Sequence, residues 1–152
     1  MMQAVILAGG KGTRLNDIAR DIPKPMVPVL GKPILEHQVT SLLRAGIKDI
    51  IMITGHLSHV IEDYFGHGTR FGLRIRYFVE NVPLGTTGGI KMVEDILEEN
   101  FLVLYGDVMM KVDFNRMLEF HRAKRSQCTL ALHPNDHPYD SDLVEIAEND
   151  RI

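Results

Sequence analysis

Gln3-Ala4-Val5-Ile6-Leu7-Ala8-Gly9-Gly10-Lys11-Gly12-Thr13-Arg14-Leu15 is followed at a short distance by Pro23-Lys24-Pro25-Met26. The apolar run Gln3 to Leu7 has the length and composition of a buried strand. It feeds a glycine-rich turn, where backbone N–H groups can face phosphate oxygens with no Cβ in the way. Lys11, Arg14 and Lys24 place three cations on or beside that turn, more than a tight turn requires. The stretch reads as a polyphosphate site at the end of a strand.

Spacing excludes the two commonest phosphate loops. A P-loop needs Gly-x-x-x-x-Gly-Lys-Ser/Thr, which no register here supplies. A dinucleotide fingerprint needs Gly-x-Gly-x-x-Gly, and Leu15 stands where its third glycine belongs. In both of those folds a helix starts at the loop. Here Asp21-Ile22-Pro23-Lys24-Pro25 and Pro28 predict extended or irregular backbone. The loop is therefore expected to lie over its ligand, with side chains supplying the charge.

At 152 residues with 45% hydrophobic content, the chain is expected to form one globular domain spanning 1–152. A net charge of −3, from 17 basic and 20 acidic residues, gives no global attraction for a nucleic acid polymer. No run approaches the ~20 apolar residues needed to cross a bilayer, and no basic stretch precedes the first apolar run. The expectation is a soluble, cytoplasmic protein without a membrane partner, and a homo-oligomer is compatible with it. Cys128, the one cysteine, has no disulfide partner and sits in a strand-like run, so it is read as a buried structural thiol.

Strand and helix patterns alternate. Strands are expected at 2–8, 49–54, 73–79, 101–105 and 128–132. A helix should open at Gly31-Lys32-Pro33 with Pro33 in its first turn, carry Leu35, Val39, Leu42 and Leu43 on one face, and close at Gly46. Ser58 is expected to cap a helix to about Tyr64, Thr86 or Thr87 to begin one to about Glu98, and Asp113 to cap 114–124. This order argues an α/β fold with a Rossmann-like, mostly parallel sheet covered by helices on both faces. In such sheets the ligand sits beyond the carboxyl ends of the strands. The glycine loop, Gly55-His56 and Gly106-Asp107 all fall on that rim. Leu143 to Ala147 resembles one arm of a hairpin turning at Asn149-Asp150, with its return strand beginning at Arg151-Ile152, so the domain is expected to be truncated at its C-terminal end.

Lys24 is held between two prolines, which favours a directed point-charge contact to a phosphoryl group. Asp107 follows an apolar strand at the same rim. A carboxylate there can hold Mg²⁺, which keeps most of its waters and bridges to substrate phosphates. A turn aspartate bonding to nearby backbone is the alternative. Glu80 precedes Pro83-Leu84-Gly85-Thr86-Thr87-Gly88-Gly89, whose glycines allow a flat ligand close to the backbone, while ordinary helix capping accounts for part of the run. An ionised Glu80 accepts only, and guanine offers two adjacent donors, N1–H and the 2-amino group, where uracil and thymine offer one. His56-x-x-His59 and His133-x-x-x-His137 are read as structural, since Pro134 and Pro138 prevent a helix that would align the second pair.

Taken together, Leu7 to Leu15, Pro23-Lys24-Pro25-Met26, Pro83 to Gly88 and Gly106-Asp107 resemble the sugar-1-phosphate nucleotidyltransferases, or nucleoside-diphosphate-sugar pyrophosphorylases. The similarity is strongest to the mannose- and heptose-1-phosphate guanylyltransferases. It implies the nucleotide-diphospho-sugar transferase type of sheet. It also implies that Leu7, Ala8 and Gly9 line the nucleotide, with Gly10, Lys11, Gly12, Thr13 and Arg14 around its phosphates. Lys24 and Arg14 would act on the reacting phosphates, Glu80 and Gly85 on the base, and Asp107 on Mg²⁺. The implied substrates are a nucleoside triphosphate, GTP favoured, and a sugar 1-phosphate. Glucose-1-phosphate thymidylyl-, uridylyl- or cytidylyl-transfer, and a non-catalytic nucleotide-sugar-sensing domain, are the alternatives. A later Glu-Lys-Pro lysine and a second metal-binding aspartate belong to the family pattern and are not placed in these 152 residues.

Overall fold

In the computed structural model, residues 2–10, 21–82, 84–134 and 143–152 are described. The expectations for Lys11, Gly12, Thr13 and Arg14 lie outside them. In chain order the elements are β1 (Gln3–Ala8), β2 (Pro28–Val29), β3 (Lys32–Pro33), α1 (Ile34–Arg44), β4 (Asp49–Thr54), α2 (Ser58–Phe65), β5 (Arg74–Val79), α3 (Gly85–Lys91), β6 (Phe101–Tyr105) and α4 (Phe114–Lys124). Short 3₁₀ turns occur at Lys24–Met26, Thr69–Phe71, Glu94–Ile96 and Glu148–Asp150. Residues 1–114 form one compact unit, which holds every strand, and 115–152 a second.

The main sheet has the order β5-β4-β1-β6 and every pairing in it is parallel. Ala4, Val5 and Ile6 on β1, and all six residues of β4, are buried, so both faces of the central strands are covered. That is why these strands read as continuous apolar runs and not as alternation. Each fully buried Ile or Val contributes ~1.5–3 kcal/mol of transfer free energy. Val5, Ile51, Ile53 and Val93 form a core cluster, with Leu7, Phe78 and Phe101 packed against it. Among the described residues, no helix is long and apolar enough to cross a membrane.

At the amino ends of the strands a polar cluster keeps the register. Gln3 Nε2 donates to Asp49 Oδ2 at 3.0 Å, and Arg74 Nε and Arg76 Nη2 reach the same carboxylate at 3.1 and 3.2 Å. The Glu98 backbone N–H donates to Gln3 Oε1 at 3.2 Å. Burial pushes the Asp49 carboxyl up, but the hydrogen bonds from Arg74 and Gln3 and the two guanidinium charges outweigh it, leaving it below the ordinary range.

α1 ends in a Schellman arrangement. Gly46, at φ +79°, donates to Leu43 O, and Ile47 N–H donates to Leu42 O. Several expectations are corrected. Pro33 is the cap of α1 and not its first turn, because its ψ of 145° is extended. α2 is capped by Leu57 in the left-handed region, with Ser58 as the first helical residue and no side-chain cap. The helix from Gly85 stops at Lys91 and resumes only as the 3₁₀ turn Glu94–Ile96. Cys128 to Leu132 forms no strand and Cys128 is exposed, since apolar alternation without a ladder partner buries nothing. The turn at Asn149-Asp150 is present, both residues having positive φ, but Leu143 to Ala147 pairs with no strand.

Candidate functional site

The parallel registers align Ala8 with Thr54, Thr54 with Val79, and Leu7 with Tyr105. The four strands therefore end level, and Gly9, Gly55, Glu80 and Gly106-Asp107 emerge on one rim, as the sequence predicts. Two close backbone approaches make the rim compact. A Cβ on Gly55 would lie 2.7 Å from Gly9 O, and one on Gly106 would lie 3.2 Å from Leu7 O. Gly106 N–H donates to Leu7 O at 2.8 Å, so the turn after β6 is tied to the end of β1.

Glu80 continues β5 by donating its backbone N–H to Thr54 O at 2.7 Å. Its carboxylate lies between two glycines from separate elements. A Cβ on Gly9 would meet Glu80 Oε2 at 2.8 Å, and one on Gly89 of α3 would meet Oε1 at 2.8 Å. Only glycine leaves room on both sides. The sequence points to Gly9 and Glu80, and to the run ending at Gly89 as a close approach for a flat ligand; the structure sets Gly89 against the Glu80 carboxylate instead. Gly85 begins α3 at φ +71° and is exposed, so its conformation suits glycine independently of any ligand. Ala8, at the end of β1, is buried.

Lys24 and Asp107 meet across the rim, with Nζ 2.8 Å from Oδ2. The side chains are 42% and 34% exposed, so solvent screens the pair and its contribution to stability is small. Lys24 lies in the 3₁₀ turn Lys24–Met26, not in the extended backbone expected of it. Only the flanking Pro23 and Val27 are extended. Pro25 and Met26 are buried, and they anchor the turn so that the lysine is still directed.

Gln38, on α1 and 3% exposed, donates through Nε2 to Tyr105 O at 2.7 Å and Val108 O at 2.6 Å, on either side of Gly106-Asp107. Tyr105 OH and Thr86 Oγ1 are 3.1 Å apart, joining β6 to the first turn of α3. Neither Gln38 nor Thr86 was singled out for this, since both contacts span long stretches of sequence. Among the described residues no group of three or more His, Cys, Asp or Glu could hold a metal ion. A single rim carboxylate is nevertheless a suitable donor for Mg²⁺, which takes one or two protein carboxylates together with substrate phosphates and water. Asp107 fits that donor set.

Residues 3–152 match the nucleotidyl transferase family. The chain is 40% identical over 152 residues to a mannose-1-phosphate guanylyltransferase of Mycobacterium tuberculosis, covering 99% of this chain and 42% of that protein. It is 40% identical over 134 residues to a D-glycero-alpha-D-manno-heptose 1-phosphate guanylyltransferase of Aneurinibacillus thermoaerophilus, covering 88% of this chain and 58% of that protein. Among solved structures, a putative glucose-1-phosphate thymidylyltransferase from Bacillus anthracis superposes with a TM-score of 0.75 at 30% identity, covering 82% of this chain and 52% of that one. HddC from Yersinia pseudotuberculosis superposes with a TM-score of 0.71 at 36% identity, covering 80% and 54%. The chain thus spans about half the length of the relatives it matches. With a fold, a rim and a match that runs over nearly all of its residues, the chain belongs to the nucleotidyl transferase family.

Proposed function

We propose that this chain carries the nucleotide half of a site that transfers a nucleoside monophosphate from a triphosphate, GTP favoured, to a sugar 1-phosphate. The observation that carries the reading is the Lys24–Asp107 pair at 2.8 Å, on the rim where Gly9, Gly55, Glu80 and Gly106 emerge. A sugar-phosphate oxygen attacks the α-phosphorus in line. The bond from that phosphorus to its bridging oxygen breaks, and pyrophosphate leaves with the electron pair. The nucleophile is already an anion, so no general base is needed, and positioning with charge neutralisation supplies the catalysis.

Lys24 Nζ stabilises the α-phosphoryl group and Arg14 holds the departing pyrophosphate. Asp107 would hold Mg²⁺, which supplies charge neutralisation between the two anionic reactants when bound. The Lys24–Asp107 contact keeps both side chains ordered before the ligand arrives, and its high exposure leaves each free to exchange partners. Glu80 accepts from guanine N1–H and the 2-amino group, its carboxylate being seated between Gly9 and Gly89. The guanylyltransferase relatives support GTP over the other triphosphates.

A second reading keeps the chemistry and changes the base. A UTP--glucose-1-phosphate uridylyltransferase of Synechocystis is 38% identical over 141 residues, so uridylyl transfer is the alternative to be tested. Calorimetric titration with GTP, UTP, dTTP and CTP in the presence of Mg²⁺ separates the two. GTP should bind at least tenfold more tightly than the pyrimidine triphosphates. Equal or tighter binding of UTP would overturn the guanine assignment.

A further inference from the structure

We propose that Gln38 is a positioning residue for Asp107, and that α1 through it sets the spacing of the Lys24–Asp107 pair. Its side-chain NH₂ group gives one hydrogen to each of two carbonyls, Tyr105 O at 2.7 Å and Val108 O at 2.6 Å. The two residues between those carbonyls are Gly106 and Asp107. One planar amide therefore fixes both ends of the short turn that carries the carboxylate. Since both partners are carbonyl oxygens, the amide orientation follows from the contacts.

The other half of the pair hangs on the same helix. Ile34 N–H, at the start of α1, donates to Val27 O at 3.1 Å, and Val27 N–H donates to Lys24 O at 3.1 Å. Ile34 and Gln38 are four residues apart, one above the other on one side of α1. A single rigid element thus holds the lysine turn through Ile34 and the aspartate turn through Gln38. The Ile34 connection continues the β2–β3 register, whereas the Gln38 connection belongs to no strand pairing.

Satisfaction of backbone groups does not account for the residue. Tyr105 O already accepts the Val108 N–H at 3.2 Å, so it keeps a partner without Gln38. Meanwhile Gln38 Oε1 is buried with no hydrogen-bond partner among the described residues. Burying an unpaired amide oxygen opposes folding. An apolar side chain of similar length would avoid that cost but would release the turn. The geometric effect of the two hydrogen bonds is what this glutamine supplies. Its consequence for metal and nucleotide rests on the nucleotidyl-transfer reading; its hold on the turn does not.

The test uses the 152-residue chain with Gln38→Met, which keeps length and loses both donors, and Gln38→Glu, which keeps shape and accepts only when ionised. Amide hydrogen exchange is followed first, without ligand. Protection at Val108 should fall at least tenfold in Gln38→Met while Met52 and Ile53 of β4 stay within twofold. In Gln38→Glu, protection corrected for intrinsic exchange should recover as pH falls from 8 to 5 and the acid regains one donor. Unchanged Val108 protection, or an equal fall throughout the sheet, would overturn the proposal. GTP is then titrated with and without Mn²⁺. Gln38→Met should keep metal-free affinity within twofold and lose the metal enhancement about tenfold, as Asp107→Asn does. Full enhancement in Gln38→Met beside its loss in Asp107→Asn would overturn the functional consequence. Absence of GTP binding by the parent chain would count against the nucleotide reading alone, since the exchange result needs no nucleotide.

Discussion

Gly89→Ala should separate stability from base recognition. Gly89 is a buried interior residue of α3, where alanine is favoured over glycine by ~0.5–1 kcal/mol on backbone entropy. The added methyl group would lie 3.4 Å from Ile53 Cγ2 and 3.5 Å from Leu7 Cδ2, ordinary or nearly ordinary contacts. Its one severe overlap is with Glu80 Oε1 at 2.8 Å, the far end of a flexible side chain that can swing aside. Stability should therefore stay within about 1 kcal/mol of the parent, a shift of no more than ~2–4 °C in melting temperature for a chain this size. The displaced carboxylate, however, no longer faces the base. A hydrogen bond to a charged acceptor is worth ~1.5–3 kcal/mol, so discrimination for the guanine 2-amino group should fall by about 10- to 150-fold. Calorimetric titration with GTP and with inosine triphosphate, which lacks that amino group, reads this directly, beside a thermal melt. Gly89→Ala should lower the GTP-to-ITP ratio relative to the parent, ITP itself weakening less because it loses only the N1–H contact, and Glu80→Ala should match Gly89→Ala. An unchanged ratio in Gly89→Ala would refute the glycine seat.

Three further outcomes follow from the same geometry. Gly55→Ala places a methyl group 2.7 Å from Gly9 O and 3.1 Å from Gly9 Cα; backbone cannot swing aside, so the cost should be ~1–3 kcal/mol by urea unfolding, with weaker GTP binding. Asp49→Ala removes the acceptor shared by Gln3, Arg74 and Arg76 and should cost ~2 kcal/mol, below the usual cost of breaking a buried pair because Arg74 reaches solvent. Acid should also destabilise the fold. Lys32 and Tyr64 hydrogen bonds hold the Glu36 carboxyl low, and the arginine and glutamine contacts hold Asp49 low. Carboxyls lowered in the folded state contribute fully above their ordinary values of 4.5 and 3.8, and that stability is lost as pH falls through the folded values. Urea midpoints should drop below about pH 4.5, and Asp49→Asn should flatten that acid limb.

Much of the sheet was legible because apolar runs bounded by glycine or charge state their own ends. β4, β6 and α4 fall on the expected residues, and β1 differs by one. The common rim followed from parallel topology alone. What could not be read depends on distance. Gln38 lies beside Leu35, Val39 and Leu42 on a mostly apolar face, and nothing local shows that it reaches residues 67 and 70 positions away. Gly89 reads as room for a flat ligand or as part of a capping run, and only the return of β5 brings Glu80 against it. Leu57 as a left-handed cap contradicts the rule that would choose Ser58, because the turn after Gly55 decides its φ. Cys128 to Leu132 has strand composition, yet pairing and burial come from a neighbour that composition cannot supply.

The most direct measurement is pyrophosphate release from GTP with mannose-, heptose- or glucose-1-phosphate. It should be made with the protein beside its Lys24→Ala and Asp107→Ala variants. Release should require both substrates and favour GTP. Each substitution should lower it by about 10²–10³-fold, ~3–4 kcal/mol of transition-state stabilisation. Near-normal turnover in either variant, or GTP bound with no pyrophosphate released, would contradict the assignment of this rim to nucleotidyl transfer.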